Sequence, residues 1–176
     1  MTGKIDTRFS APDAEATPWP DVVEALAKAE LYWLTTVRAD GRPHVTPLVG
    51  VVDAEVFHFC TGLEEQKGRN LEHNDRVAVT TGNNTWAEGL DLVVEGRAVR
   101  ISTDEELKRL ASAWEDKYGS EWHWEVADGC FATRTATGRR SSVSSRQRSW
   151  RSPRIRTARR RSGSSPRSVP QARRAD

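Results

Sequence analysis

The chain has 176 residues, room for one domain of ordinary size, and its formal charge of +2 hides two unlike regions. Residues 133–176 hold 14 Arg, 10 Ser, no Lys and one acid, Asp176, for a charge of +13; the remaining 13 basic and 24 acidic residues give 1–132 a charge of −11. Two distant cysteines, Cys60 and Cys130, exclude a disulfide scaffold; the first residues carry no apolar leader pattern and no run reaches the ~20 apolar residues of a membrane span, so a reducing cytoplasm is the expected setting.

Residues 1–17 are small and polar and are expected to be flexible. Pro18 to Glu30 reads as a helix: Pro20 and Asp21 suit a first turn, and Val22, Val23, Leu26 and Ala29 recur at helical spacing. "LYWLTTVR" (31–38) is aromatic and β-branched and predicts a strand. Asp40-Gly41 then marks a hairpin turn, and "HVTPLVGVV" (44–52) is the return strand, with Pro47 pointing to a sheet edge or a bulge. A third strand covers 55–61, a short helix 64–73, a fourth strand 76–82, and a long fifth strand 90–102 with a kink at Gly96. Residues 103–119 form a helix with Thr103 and Glu106 as a capping box, Leu107, Leu110, Ala111 and Trp114 as its apolar stripe, and Gly119 at its end. Closely spaced antiparallel strands with three helices are not a doubly wound pattern. They predict a mainly β (α+β) fold, an antiparallel barrel with helices packed outside, over 18–132.

The stretch "FHFCTGLEEQKGRNL" (57–71) carries the chemistry. A strand gives way to a helix at Thr61-Gly62, and a hydroxyl (Thr61), an amide (Gln66) and a cation (Lys67) follow in short order. Such a junction suits a phosphate. Gly68 costs roughly 1 kcal/mol inside a helix relative to Ala, which makes sense where backbone must come close to something. Glu64 and Glu65 would repel a phosphate and must either point away or serve only to start the helix. On charge alone, a solvated surface helix explains the segment as well.

The order of residues Phe59-x-Thr61, a four-residue gap, then Gln66-Lys67-Gly68-x-x-Leu71 resembles the phosphate-binding segment of the pyridoxamine 5′-phosphate oxidase-like family of flavin-binding split β-barrels, with Gln66 where the family has Arg. Three further passages resemble it in the same order: "TTVRADGRPHVTPL" (35–48), "RNLEHNDRVAVTTG" (69–82) and "EGRAVRISTDEEL" (95–107). The resemblance covers about 17–131. It implies a split barrel, FMN or its deazaflavin relative as cofactor, a homodimer with the cofactor at its interface, and hydride transfer to or from a small organic substrate. Carried over by position, His44, Val45, Thr46 and Pro47 flank the ring, Thr61, Gln66 and Lys67 hold the phosphate, and Asn70 lies near the phosphate or ribityl chain. Thr81 ends a strand that meets the ring or the partner, and Trp86 is either a wall for ring or substrate or an aromatic cap on the barrel.

A flavin brings its own redox chemistry, which agrees with a sequence that shows no triad, carboxylate pair or metal-ligand spacing. No catalytic residue is assigned. His58 reads as structural and His44 as either a surface residue or a group that polarises substrate. A non-catalytic flavin or haem carrier on the same barrel is the alternative from another class.

The segment 133–176 cannot build a core and is expected to be disordered. As a basic arm it would bind nucleic acid, which the acidic body would not. Arg, Ser, Pro and Ala without Lys is also what a GC-rich gene yields when read out of frame. Under one choice of synonymous codons, 141–160 shifted by two bases becomes an apolar, strand-like run, and a genuine last barrel strand is otherwise missing after 131.

Overall fold

The computed structural model describes residues 15–85, 88–134, 143–152 and 157–161. Helix α1 (Trp19–Lys28) starts on Pro18 and buries Val22 and Leu26. The hairpin β1 (Tyr32–Val37) and β2 (Pro43–Leu48) follows, paired in register from Tyr32 opposite Leu48 to Val37 opposite Pro43. β2 is an edge strand, so the missing N–H of Pro47 costs no ladder bond to a second neighbour.

The chain continues as β3 (Gly50–Asp53), β4 (Val56–Gly62), α2 (Gln66–Leu71), β5 (Arg76–Thr81), β6 (Gly89–Arg97) and β7 (Val99–Ile101). Helix α3 (Asp104–Tyr118), a 3-10 turn (Ser120–Trp122), β8 (Glu125–Ala127), β9 (Cys130–Arg134), β10 (Val143–Ser152) and β11 (Thr157–Arg161) complete it. One sheet has the order β11-β6-β5-β1-β2; the other runs β3-β4-β10-β9-β8, with β7 also on β10.

Two bends make the barrel. The predicted single strand 44–52 breaks at Val49 and passes from the first sheet (β2) to the second (β3). The predicted strand 90–102 does the same at Ala98, not at Gly96, to become β6 and β7. A Cβ at position 50 would lie 2.4 Å from the Phe57 ring and 2.7 Å from the His58 carbonyl oxygen, so only glycine lets β3 turn in so closely. Two cores result. Between the sheets and under α1 lie Leu26, Tyr32, Leu34, Phe57, Phe59, Val79 and Val94. Under α3 lie Leu107, Leu110, Trp114, Trp124 and Phe131, with Trp114 edge-on to Phe131 at 5.6 Å. The stripe expected on α3 is the buried one. Lys117, near the end of α3, donates to the Gly50 carbonyl and the Tyr32 hydroxyl, both at 2.9 Å, and ties the helix to the bend.

The composition of 133–176 predicts no ordered structure, yet 143–152 and 157–161 are strands; 135–142, 153–156 and 162–176 lie outside the described residues. β10 runs between β4 on one side and β9 and β7 on the other. The ladder bonds it makes are backbone bonds, which any non-proline residue supplies. Side chains answer less well: the Ser149 hydroxyl and Trp150 indole N–H are buried without a partner. β8 and β9 were not legible as strands, being short and separated by a tight turn at Asp128-Gly129. Among the described residues no helix is long and apolar enough to cross a membrane.

Candidate functional site

The end of β4 and the start of α2 form a small cradle. Its shape comes from Gly68, where a Cβ would lie 2.5 Å from the Gly62 carbonyl oxygen. The close approach that this glycine permits is therefore to the chain's own backbone at the strand end. Lys67 is only 9% exposed and its ammonium pairs with Glu65 Oε2. Glu65 Oε1 accepts the Gly62 N–H at 2.6 Å. Burial pushes the Glu65 carboxyl up, but the bonds from Lys67 and the Gly62 N–H, with help from Thr61, outweigh it and hold the group ionised below the usual carboxylate range. An ammonium and a backbone N–H thus converge on one oxyanion that the chain itself supplies, beside the buried Thr61, whose hydroxyl donates to the Gly62 carbonyl at 3.2 Å. Glu64 points elsewhere, to Arg69 at 2.9 Å.

A polar chain flanks the cradle. Arg38 donates to Gln66 Oε1 at 3.3 Å, Gln66 donates to Asn70 Oδ1 at 2.8 Å, and Asn70 donates to Thr36 Oγ1 at 2.8 Å. Thr36 in turn reaches the His44 carbonyl at 3.4 Å. Gln66 and Asn70 are therefore committed to joining α2 to β1. His44, half-buried on β2, has its pKa lowered by burial, then by the Arg38 and Lys67 charges, so its imidazole is held neutral. Cys60 nearby is a buried thiol whose pKa burial pushes up to about 12, an inert group.

The sequence pattern of the pyridoxamine 5′-phosphate oxidase family matches residues 19–151, from the first residue of α1 to the next-to-last of β10. The chain belongs to that family. A pyridoxine/pyridoxamine 5′-phosphate oxidase of Pseudomonas fluorescens is 35% identical over 83 residues, 47% of this chain and 38% of the relative, so the chain spans well under half of that relative's length. Among solved structures, a conserved hypothetical protein of Mycobacterium tuberculosis superposes with a TM-score of 0.61 at 19% identity, covering 84% of this chain and 86% of the other. A haem storage protein of Vibrio cholerae gives 0.58 at 18%, covering 81% and 93%. An FAD binding protein of Mycobacterium smegmatis gives 0.56 at 15%, covering 82% and 97%. At these identities the structures establish the split-barrel fold, and the neighbours include flavin and haem binders.

Set in this oxidase-family barrel, the residues expected at a flavin site divide into groups. Thr61, Gln66, Lys67 and Asn70 gather at the cradle, with His44 beside them. β2 splits the ring-flanking set in two: the half-buried His44 and Thr46 alternate with the exposed Val45 and Pro47. Val45 and Pro47 share the outward face with Thr35 and Trp33, their partners on β1. Thr81 is at the other end of β1, where its hydroxyl donates to the Leu31 carbonyl at 2.9 Å. Thr36 lies five residues along the strand from Leu31, roughly 17 Å at the usual rise, so Thr81 does not join the cradle. Trp86 lies outside the described residues. Two contributors escaped the sequence reading. Arg38 carried no motif, only a position before a turn. Glu65 carried a sign opposite to that expected of a phosphate ligand.

Proposed function

We propose that this barrel binds a phosphorylated flavin-type ring, FMN or its deazaflavin relative, and serves as an oxidoreductase of the pyridoxamine 5′-phosphate oxidase family acting on a small organic substrate. The observation that carries the reading is the Glu65 carboxylate resting on Lys67 and the Gly62 N–H, with the Thr61 hydroxyl beside it: the donor set already holds an oxyanion, so its chemistry fits a phosphate group. The bound ring would supply the hydride and electron chemistry. The chain's own residues would bind and orient. Lys67 would anchor the phosphate by charge and Thr61 by its hydroxyl, while Gln66 and Asn70 keep α2 fixed on β1. Val45 and Pro47, with Trp33, offer an apolar plane for the ring; Trp33 is 47% and Val45 54% exposed. A second copy of the chain would cover that plane and keep water from the ring, which makes the working unit a homodimer.

His44 favours a second reading. A half-buried imidazole held neutral would be free to hold a haem iron, so the same barrel would serve as a haem carrier without catalysis. Absorption spectra after addition of FMN, the deazaflavin coenzyme or haemin separate the two. The flavin reading expects a perturbed flavin band that Lys67→Ala abolishes; a Soret band lost in His44→Ala, with no change in the flavin spectra, would replace it by the carrier.

A further inference from the structure

The donors of the cradle are already occupied, and the occupant is part of the chain. Glu65 is the N-cap of α2, with extended backbone (φ −71°, ψ 148°) and a carbonyl that accepts the Arg69 N–H at 3.0 Å; rotation about its side-chain bonds carries the carboxylate to solvent without disturbing that bond. Its side chain is 46% exposed while that of Lys67 beneath it is 11% exposed. An incoming anion therefore meets Glu65 at the mouth and the ammonium behind it. Among the described residues Lys67 has no other acidic ion-pair partner, while Arg38 donates to the neutral Gln66 and its charge helps lower the pKa of Asp40. The charges around the cradle are thus the Lys67–Glu65 pair, whose carboxylate can move, the Arg148–Glu72 pair, and Arg38.

We propose that Glu65 is a resident competitor for the anion site: its carboxylate occupies the phosphate position and must swing out before a phosphate can bind Lys67 and the Gly62 N–H. This deepens the flavin reading and rests on it for the identity of the natural ligand, but not for the competition itself. The consequence is selectivity. A free phosphate ion has only the anion contacts with which to displace Glu65 and binds poorly. A phosphate tethered to a ring gains the ring's contacts as well, and the tether raises its effective concentration at the cradle. Glu65 is half-exposed but Lys67 is buried, so removing the carboxylate leaves the ammonium without its acidic partner and costs some stability, which a polar Gln or Ser at the position limits.

The test compares the full chain with Glu65→Gln and Glu65→Ser, both first verified by circular dichroism melts. Calorimetric titration with inorganic phosphate reads the cradle alone, and flavin fluorescence with FMN and riboflavin reads the ring with and without its phosphate. The expected result is a gain of about tenfold or more in affinity for phosphate and for FMN in both variants, corresponding to ~1.4 kcal/mol, with riboflavin unchanged. Unchanged or weaker phosphate binding in two folded variants overturns the competition. If phosphate binding rises but neither flavin binds any of the three proteins, the competition stands and the flavin reading falls.

Discussion

β4 and β10 lie side by side in the middle of the second sheet, paired from Phe57 opposite Ser152 to Gly62 opposite Gln147. Their sequences are as different as two adjacent strands allow. β4, "VFHFCTG", sends Phe57 and Phe59 into one core and Cys60 into the other, and only its two ends are not fully buried. β10, "VSSRQRSWRS", offers Trp150 to the first core and a lone serine hydroxyl toward the second, while Arg148 finds a carboxylate on Glu72. The contrast teaches that a place in a sheet is set by its neighbours' open backbone groups, and that side chains decide how well the place is filled.

The largest expected effect comes from removing one member of the pair. A chain ending at residue 142 exposes the long inner edges of β4 and β9 and strips Trp150 from the core. It should lose its cooperative thermal transition and aggregate; a soluble protein melting like the parent would contradict the arrangement. The next effect belongs to β4. His58 is 2% exposed, its Nδ1 has no partner, and burial lowers its pKa from 6.5 to about 4. The unfolded chain therefore takes up a proton first as pH falls, and stability declines between pH 6.5 and 4 by up to about 3 kcal/mol. Urea midpoints across that range should show the slope in the parent and lose most of it in His58→Leu. Gly68→Ala, which forces a methyl against the Gly62 carbonyl, should cost about 1–3 kcal/mol in the same assay and loosen α2 from the end of β4.

The smallest effect sharpens the comparison from the side of β10. Ser149→Ala removes a buried, unpartnered hydroxyl and should stabilise the chain by about 1 kcal/mol, where almost any truncation in β4 would destabilise it. An out-of-frame origin for the tail predicts more: replacing 143–152 by an alternating apolar strand raises the melting temperature well beyond that single change. Sequencing the gene across codons 130–145 tests the origin itself.

Periodicity made the helices legible: the stripe Leu107, Leu110, Ala111 and Trp114 on α3 is buried as its spacing demands. Alternation and the Asp40-Gly41 turn did the same for the first hairpin. The sheet switches were harder to read: Gly50 is the one mark within "LVGVV", and what it permits, a close approach to Phe57 seven residues on, exists only once β3 and β4 have paired. In the site, Lys67 and Thr61 were recognisable from their order along the chain. Arg38 was not, since its bond to Gln66 spans 28 positions and exists only once β1 and α2 have packed. The role of Glu65 was hidden for a different reason: its charge argues against an anion site until the geometry makes it the anion.

The flavin reading stands or falls on whether the junction of β4 and α2 receives the phosphate of a flavin-type ring. A crystal structure of the full chain grown with FMN tests it most directly. The expected result is phosphate oxygens within hydrogen-bonding distance of Lys67 Nζ and the Gly62 N–H, with the Glu65 carboxylate turned to solvent. FMN lodged with its phosphate away from Lys67, or crystals that take up none from a saturating solution, would contradict it.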